Sequence, residues 1–122
     1  MEEIEITGYL TQDKLLKVLI TIFGEENLVG IEIPAIPNTR SRFDMAFKKG
    51  ETIFIVEYDG DEHYRNSLKI KTDQEKDSWA AAQGYVVVRV PYWIQLTKET
   101  FEHYFGFATN YIITTNFNQG FI

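Results

Sequence analysis

The chain has no cysteine, and this absence excludes disulfide bonds, thiolate zinc sites and a cysteine nucleophile. It also has no apolar run of the roughly 18 residues that a membrane-spanning helix needs. The first residues, Met-Glu-Glu-Ile-Glu, lack the basic and apolar regions of a signal peptide. We therefore expect a cytoplasmic protein with no membrane partner.

Positive charge is scarce, with 12 Lys and Arg against 18 Asp and Glu and a net charge of −6. This balance argues against a protein that coats nucleic acid through a basic surface. It does not exclude a metal-dependent nuclease, because such an enzyme concentrates acids where it binds cations. Two bound divalent ions would add about four positive charges at that place.

The chain does have the material for a hydrophobic core. It has 122 residues, of which 44% are hydrophobic and 15% aromatic, so residues 1–122 are expected to form a single domain. The closing residues, Gln119-Gly120-Phe121-Ile122, form neither a helix end nor a polar tail. This favours the interpretation that the domain is part of a longer protein.

The hydrophobic pattern predicts an α/β domain with the element order α-β-β-β-α-β-α. After an acidic leader, an amphipathic helix begins at about Thr11 and ends at Gly24. Three strands then form a meander, with a hairpin turn at residues 48–51. A strand, a polar loop over residues 60–72, a helix and a further strand make a βαβ unit with parallel strands. The predicted ranges are 29–33, 41–48 and 52–59 for the meander, 73–83 for the second helix, 85–90 for the last strand and Thr97 for the start of the last helix.

Acidic side chains occur within two of the predicted strands. Asp44 lies in the middle of one, and Glu57 and Asp59 end the next, so a hairpin could bring Asp44 and Glu57 side by side at a sheet edge. Charged groups are usually avoided in strands unless something offsets the loss of hydration, and Mg²⁺ is commonly held by one or two carboxylates and several waters. For each acid alone, the simpler interpretation is a strand end at the solvent boundary. Together, Asp44, Glu57 and Asp59 favour a divalent-metal site.

A histidine and a further acid follow the second of these strands. His63 comes six residues after Glu57, beyond Gly60, so it could lie over a metal and take a proton from an attacking water. The alternative is a solvated loop histidine. Asp73 could belong to the same site or cap the N-terminus of the second helix, with Asp77 solvated one turn later.

Three segments carry a family resemblance: Arg42-Phe43-Asp44, then Ile55-Val56-Glu57-Tyr58-Asp59-Gly60-Asp61-Glu62-His63, then Asp73 eleven residues before Gly84-Tyr85-Val86-Val87-Val88-Arg89. Together they resemble the Vsr-like branch of the PD-(D/E)xK nucleases. The resemblance spans roughly residues 10 to 95. It implies a restriction-endonuclease-like mixed β-sheet core flanked by helices.

By position, the resemblance implies roles for four residues. Asp44 matches the central metal-binding aspartate, and Glu57 matches the strand position whose side chain or carbonyl binds metal. His63 matches the general base, and Asp73 matches the acid that orients or supports it.

The sequence departs from the family at two positions. The family uses an acid on the first helix, usually glutamate, and here Gln12 or Asp13 occupies that region. Asp59 stands where the broader Glu-x-Lys motif has its lysine, which fits the Vsr-like branch better than the general one.

The resemblance implies an endonuclease that hydrolyses DNA phosphodiester bonds with Mg²⁺ or Mn²⁺, of the homing or mismatch-nicking type, in a bacterial or phage-infected cell. Lys69, Lys71 or Arg89 could position the phosphate backbone. One catalytic centre cuts one strand, so a double-strand cut would need a homodimer or rebinding.

A non-catalytic module is the alternative, in which the nuclease fold serves for nucleic-acid or protein binding. The acidic balance and the departure at the first helix favour it. A third hypothesis, acidic mimicry of DNA, would require negative charges in rows over the surface, whereas here many of them cluster in one segment.

Overall fold

The computed structural model describes residues 2–60 and 67–115, without the side chain of Ser67. It is a mixed α/β structure in which three α-helices accompany a four-stranded sheet and a two-stranded sheet. No helix in this described part of the chain is long and apolar enough to cross a membrane. The elements are β1 Glu3–Ile6, α1 Gln12–Phe23, a 3₁₀ turn at Glu25–Asn27, β2 Leu28–Pro34, β3 Arg42–Lys49, β4 Thr52–Asp59, α2 Ser67–Ala82, β5 Val86–Pro91, α3 Lys98–Phe105 and β6 Ile112–Thr115.

The larger sheet has the strand order β2-β3-β4-β5. The first three strands are antiparallel neighbours, and β5 lies parallel to β4. The turn between β3 and β4 carries Gly50 at a φ of 61°, a left-handed conformation that glycine adopts at little cost. The predicted meander, hairpin turn and parallel βαβ unit are thus confirmed.

The N-terminal segment is not an acidic leader. Glu3–Ile6 forms β1, which pairs in parallel with β6 in the two-stranded sheet. The sequence analysis predicted neither strand. Each has only four residues, too few for a clear alternation, and the partner of β1 lies about a hundred residues away in the chain.

Helix α2 begins at Ser67, earlier than the predicted start at residue 73. Its first turns carry polar residues and two exposed apolar residues, Leu68 and Ile70, so no apolar stripe marks them in the sequence. Asp73 therefore lies inside the helix, and the N-cap interpretation is wrong.

The larger sheet packs on both faces. One face joins α1 and α3 in the main core, which includes Leu19, Val56 and Phe101. The other face, with Phe43 and Ile55, packs against Ala80 of α2. The neighbouring residues Ile55 and Val56 point to opposite faces, as alternation along a strand requires.

This alternation fails at one point in β3. Phe43 belongs to the α2 side and Met45 to the α1 side, although residues two apart in a regular strand share a face. The same level of β2 holds Glu32 at a φ of 50°, a conformation that is uncommon for a residue other than glycine. The sheet is therefore irregular where Glu32 and Asp44 lie.

Candidate functional site

Asp44 and Glu57 are locked together where the pairing of β3 and β4 ends. The last paired residues there are Met45 and Val56, which puts Asp44 opposite Glu57. The backbone N–H of Asp44 donates to Glu57 Oε2 at 2.7 Å, and the backbone N–H of Tyr58 donates to Asp44 Oδ2 at 2.7 Å. Carboxylate oxygens thus replace the carbonyls of the ladder, and each acid is held in one position.

The sequence predicted this adjacency, but the strand positions differ from those expected. We expected the pair at a sheet edge, whereas β3 and β4 are the two central strands of the four-stranded sheet. As a result Glu57 is only 2% exposed. Two carboxylates in such a place repel each other and lose hydration.

The electrostatics of the pair follow from this burial. Burial raises the pKa of Asp44, and the charge of Glu32 adds to this, while the hydrogen bond from Tyr58 and the charge of Lys76 act against it. Burial, and then the charge of Asp44, raises the pKa of Glu57, while Lys76 opposes the increase. A cation between these carboxylates would relieve both effects.

Lys76 supplies positive charge at this site, and the sequence analysis missed it. Its Nζ lies 2.5 Å from Glu57 Oε1, 2.7 Å from the backbone oxygen of Arg42 and 3.9 Å from Asp73 Oδ1. The residue is only 8% exposed. The available signal was its spacing, because a lysine three residues after Asp73 shares its helical face.

Glu32 is the second residue that sequence reasoning missed. In the register of β2 with β3, Ile31 pairs with Met45 and Ile33 with Phe43, so Glu32 lies opposite Asp44. Together with Asp44 it lines a cavity of about 280 Å³ on the α1 side. Its position in an ordinary-looking strand gave no sign of this, since only the register shows which residue it faces.

The first-helix region contributes one amide and one exposed acid. Gln12 Nε2 donates to Glu32 Oε1 at 3.3 Å. Asp13 is 71% exposed at its side chain and pairs with Lys17 at 3.2 Å, although it also lines the α1-side cavity. Glu32 therefore brings an acid close to Asp44 from β2.

Asp59 and Asp73 are joined by Arg89 of β5. The Arg89 guanidinium lies 2.8 Å from Asp59 Oδ1 and 3.7 Å from Asp73 Oδ2. It also donates from Nε and Nη2 to the two oxygens of Asp77, at 2.8 and 2.6 Å. Asp77 is thus an ion-pair partner, and the expectation of a solvated side chain is wrong.

The carboxylates of this cluster stabilise the positive charge of Arg89. Burial alone would lower the pKa of the guanidinium, but the hydrogen bonds to Asp77 and the charges of Asp59, Asp77 and Asp73 raise it above its ordinary value. Three carboxylates surround Arg89, so it joins β4 and β5 to α2.

A second cavity, of about 390 Å³, opens on the α2 side of the Asp44–Glu57 pair. Asp44, Glu57 and Lys76 line its floor, and the basic residues Arg42 and Lys69 line its wall. Lys71 instead lines a separate groove of α2, beside Trp79. His63 lies outside the described residues, in the connection between β4 and α2.

Two carboxylates at this site could hold a hard divalent cation. In the described residues, no three His, Asp or Glu side chains are grouped so that they could hold a metal. Asp44 and Glu57 supply two adjacent carboxylates, and Mg²⁺ characteristically takes one or two carboxylates and completes its shell with water and substrate phosphate. These two residues would hold the ion.

No protein-family model, curated protein or solved structure matches the chain.

Proposed function

We propose that the protein is a Mg²⁺- or Mn²⁺-dependent endonuclease that hydrolyses DNA phosphodiester bonds, with a restriction-endonuclease-like core of the Vsr-like type. The observation that carries the proposal is the Asp44–Glu57 pair, fixed by two backbone hydrogen bonds at the floor of an open cavity. The motif resemblance supports it, since both residues occupy the family's metal-binding positions.

Each residue has a defined task in the proposed reaction. Asp44 and Glu57 would hold the metal, which when bound supplies a Lewis acid that polarises the scissile phosphate and stabilises charge on the leaving oxygen. His63 would take the proton of the attacking water. Lys69, on the cavity wall, would position a phosphate of the substrate strand.

The distribution of basic residues supports a phosphate substrate. Although the chain has a net charge of −6, Arg42 and Lys69 stand on the wall of the cavity that contains the acidic pair. Basic residues around a metal-binding carboxylate pair would complement the negative charge of a bound phosphodiester.

Plasmid cleavage tests the proposal directly. Supercoiled plasmid incubated with the protein and Mg²⁺ or Mn²⁺ is expected to give nicked product, and EDTA is expected to prevent it. Nicks without linear product would indicate a single centre, and linear product would indicate two copies acting together or rebinding by one copy. No cleavage with either metal would contradict the catalytic proposal.

A non-catalytic module is the second candidate, and one observation favours it. Lys76 pairs with Glu57 at 2.5 Å, and Arg89 pairs with Asp59 at 2.8 Å, so each of these two buried acids has a cationic partner without a metal. A non-catalytic module would bind nucleic acid or protein without metal-dependent cleavage.

His63→Ala is expected to lower the cleavage rate by about 10²- to 10⁴-fold if His63 is the general base. The metal should still bind, because the proposed ligands are carboxylates, so the increase in melting temperature caused by Mn²⁺ should stay unchanged. His103→Ala, which removes an exposed histidine of α3, is the matched control. A rate within twofold of wild type would exclude His63 as the base.

Lys69→Ala is expected to weaken DNA binding and to lower the slope of log affinity against log salt concentration by about 0.9, the value for one lost phosphate contact. Fluorescence anisotropy with a labelled duplex over a salt series, in Ca²⁺ to prevent cleavage, measures this. Lys48→Ala removes a charge from the exposed end of β3 and should leave the slope unchanged. An unaltered slope in Lys69→Ala would remove this residue from the phosphate path.

A further inference from the structure

Lys76 is a buried cation in direct contact with a proposed metal ligand. Its Nζ is within hydrogen-bond distance of Glu57 Oε1 and the backbone oxygen of Arg42, at 2.5 and 2.7 Å. It also lies 5.8 Å from the centre of the Phe43 ring. The ammonium group is thus held by an anion, a carbonyl and an aromatic ring, which are the partners that stabilise a buried positive charge.

Both oxygens of Glu57 are already engaged. Oε2 accepts from the backbone N–H of Asp44, a bond that joins β3 to β4, and Oε1 accepts from Lys76. Because the first bond belongs to the sheet, the oxygen that a cation can take without disturbing the strands is Oε1. A divalent cation at that oxygen would lie beside the ammonium group and repel it.

A second anion stands ready to receive the displaced ammonium group. Asp73 Oδ1 is 3.9 Å from Lys76 Nζ, and Asp73 precedes it by three residues on α2. The lysine side chain has four rotatable bonds. A small rotation of that side chain would carry Nζ from Glu57 to Asp73 within the same cavity, so the ammonium group need not return to bulk water.

We propose that Lys76 is an internal counter-ion that occupies the cation position at Glu57 in the metal-free protein and competes with the divalent metal for that carboxylate. In this role it is a positioning residue, which keeps Glu57 in place before the metal binds. The inference rests on the proposed function, because it assumes that Glu57 is a metal ligand.

Competition between Lys76 and the metal predicts that removing the lysine increases the affinity for the metal. Lys76→Met keeps the approximate length of the side chain and removes the charge, which leaves Glu57 as an uncompensated buried carboxylate. The metal-free variant is therefore expected to melt at a lower temperature than wild type. A divalent cation would then restore the missing charge, so Mn²⁺ is expected to bind the variant at least tenfold more tightly.

The experiment measures Mn²⁺ affinity by isothermal titration calorimetry and melting temperature with and without Mn²⁺. Tighter binding and a larger Mn²⁺-induced increase in melting temperature in Lys76→Met would support competition. Equal or weaker binding would overturn it, because loss of a competing lysine must strengthen Mn²⁺ binding, whereas loss of a lysine that only supports the site would not. Lys76→Gln, which is neutral but polar, provides the same comparison if the methionine variant does not fold.

Lys48→Met is the matched control, because it removes one positive charge from an exposed position of β3. It should leave Mn²⁺ affinity near the wild-type value, and an equal gain there would overturn the inference as a general charge effect.

Failure of this inference and failure of the proposed function give different results. Plasmid cleavage by wild type, with equal Mn²⁺ affinity in wild type and Lys76→Met, would overturn the competition and leave the nuclease standing. Tighter Mn²⁺ binding by the variant, with no cleavage by wild type, would support the competition in a non-catalytic module. No Mn²⁺ binding by either protein would overturn both.

Discussion

Asp44→Asn is expected to lower Mg²⁺-dependent DNA cleavage by about 10³-fold or more, because a metal ligand supports several kcal/mol of transition-state stabilisation and each tenfold in rate corresponds to about 1.4 kcal/mol. Asparagine is chosen over alanine for a structural reason. Asp44 Oδ2 accepts the backbone N–H of Tyr58 at 2.7 Å, and the asparagine carbonyl can accept the same bond. The fold should therefore persist while the charge is lost.

Single-turnover conversion of supercoiled plasmid to the nicked product checks this prediction. The melting temperature of each variant is measured as well. Glu51→Gln removes one negative charge from the exposed hairpin turn at the other end of β3 and β4, so it should retain wild-type activity. Retention of full activity by Asp44→Asn would exclude Asp44 as a metal ligand. Loss of activity in both variants would point to net charge as the cause.

The same cleavage assay compares the two acids that could assist Asp44 from the α1 side. Asp13 is mostly exposed and paired with Lys17, whereas Glu32 lies opposite Asp44 in the register of β2 with β3. If an acid assists Asp44 from the α1 side, Glu32→Gln should lower activity more than Asp13→Asn does.

Arg89→Met is expected to destabilise the protein by about 3 kcal/mol, since removing the cation of a largely buried ion-pair cluster leaves its carboxylates uncompensated. The partners are Asp59, Asp73 and Asp77, and Asp59 is only 7% exposed. For a chain of this size the loss corresponds to a decrease in melting temperature of roughly 10 °C. Urea denaturation of wild type and variant measures the change in the free energy of unfolding.

Two further variants decide what Arg89 does. Arg40→Met, at an exposed loop position, should change stability by less than about 0.5 kcal/mol. Arg89→Lys keeps the charge but loses the two-pronged contact with Asp77, so it should fall between wild type and Arg89→Met. A loss below about 1 kcal/mol in Arg89→Met would mean that desolvation cancels the attraction within the cluster.

The same variant also tests the prediction that Arg89 positions phosphate. Its guanidinium donates to Asp59, Asp77 and the backbone oxygen of Asp73. If those contacts are its whole role, Arg89→Met at a temperature where it is folded should bind DNA as wild type does. Weaker binding with a shallower salt dependence would support a phosphate contact.

Local pattern predicted the elements whose hydrophobic residues repeat at regular spacing. Helix α1, the β2–β4 meander and the parallel pair β4–β5 follow from such repeats and from the turn at Gly50. The short strands β1 and β6 and the polar start of α2 did not, because a four-residue strand or an exposed helical turn is stabilised by distant partners rather than by its own pattern.

The candidate site also has some features that local pattern predicted and others that it did not. The sequence by itself determined that Asp44 and Glu57 would lie on neighbouring strands, because the length of the hairpin sets which residues face each other. Only the tertiary structure decided that Lys76 neutralises Glu57, that Glu32 faces Asp44, and that Arg89 binds the carboxylates of Asp59 and Asp77. These contacts depend on how α2, β2 and β5 pack around the central hairpin. Spacing along α2 shows that Asp73 and Lys76 share a helical face, but it does not encode which strand residues that packing brings to this face.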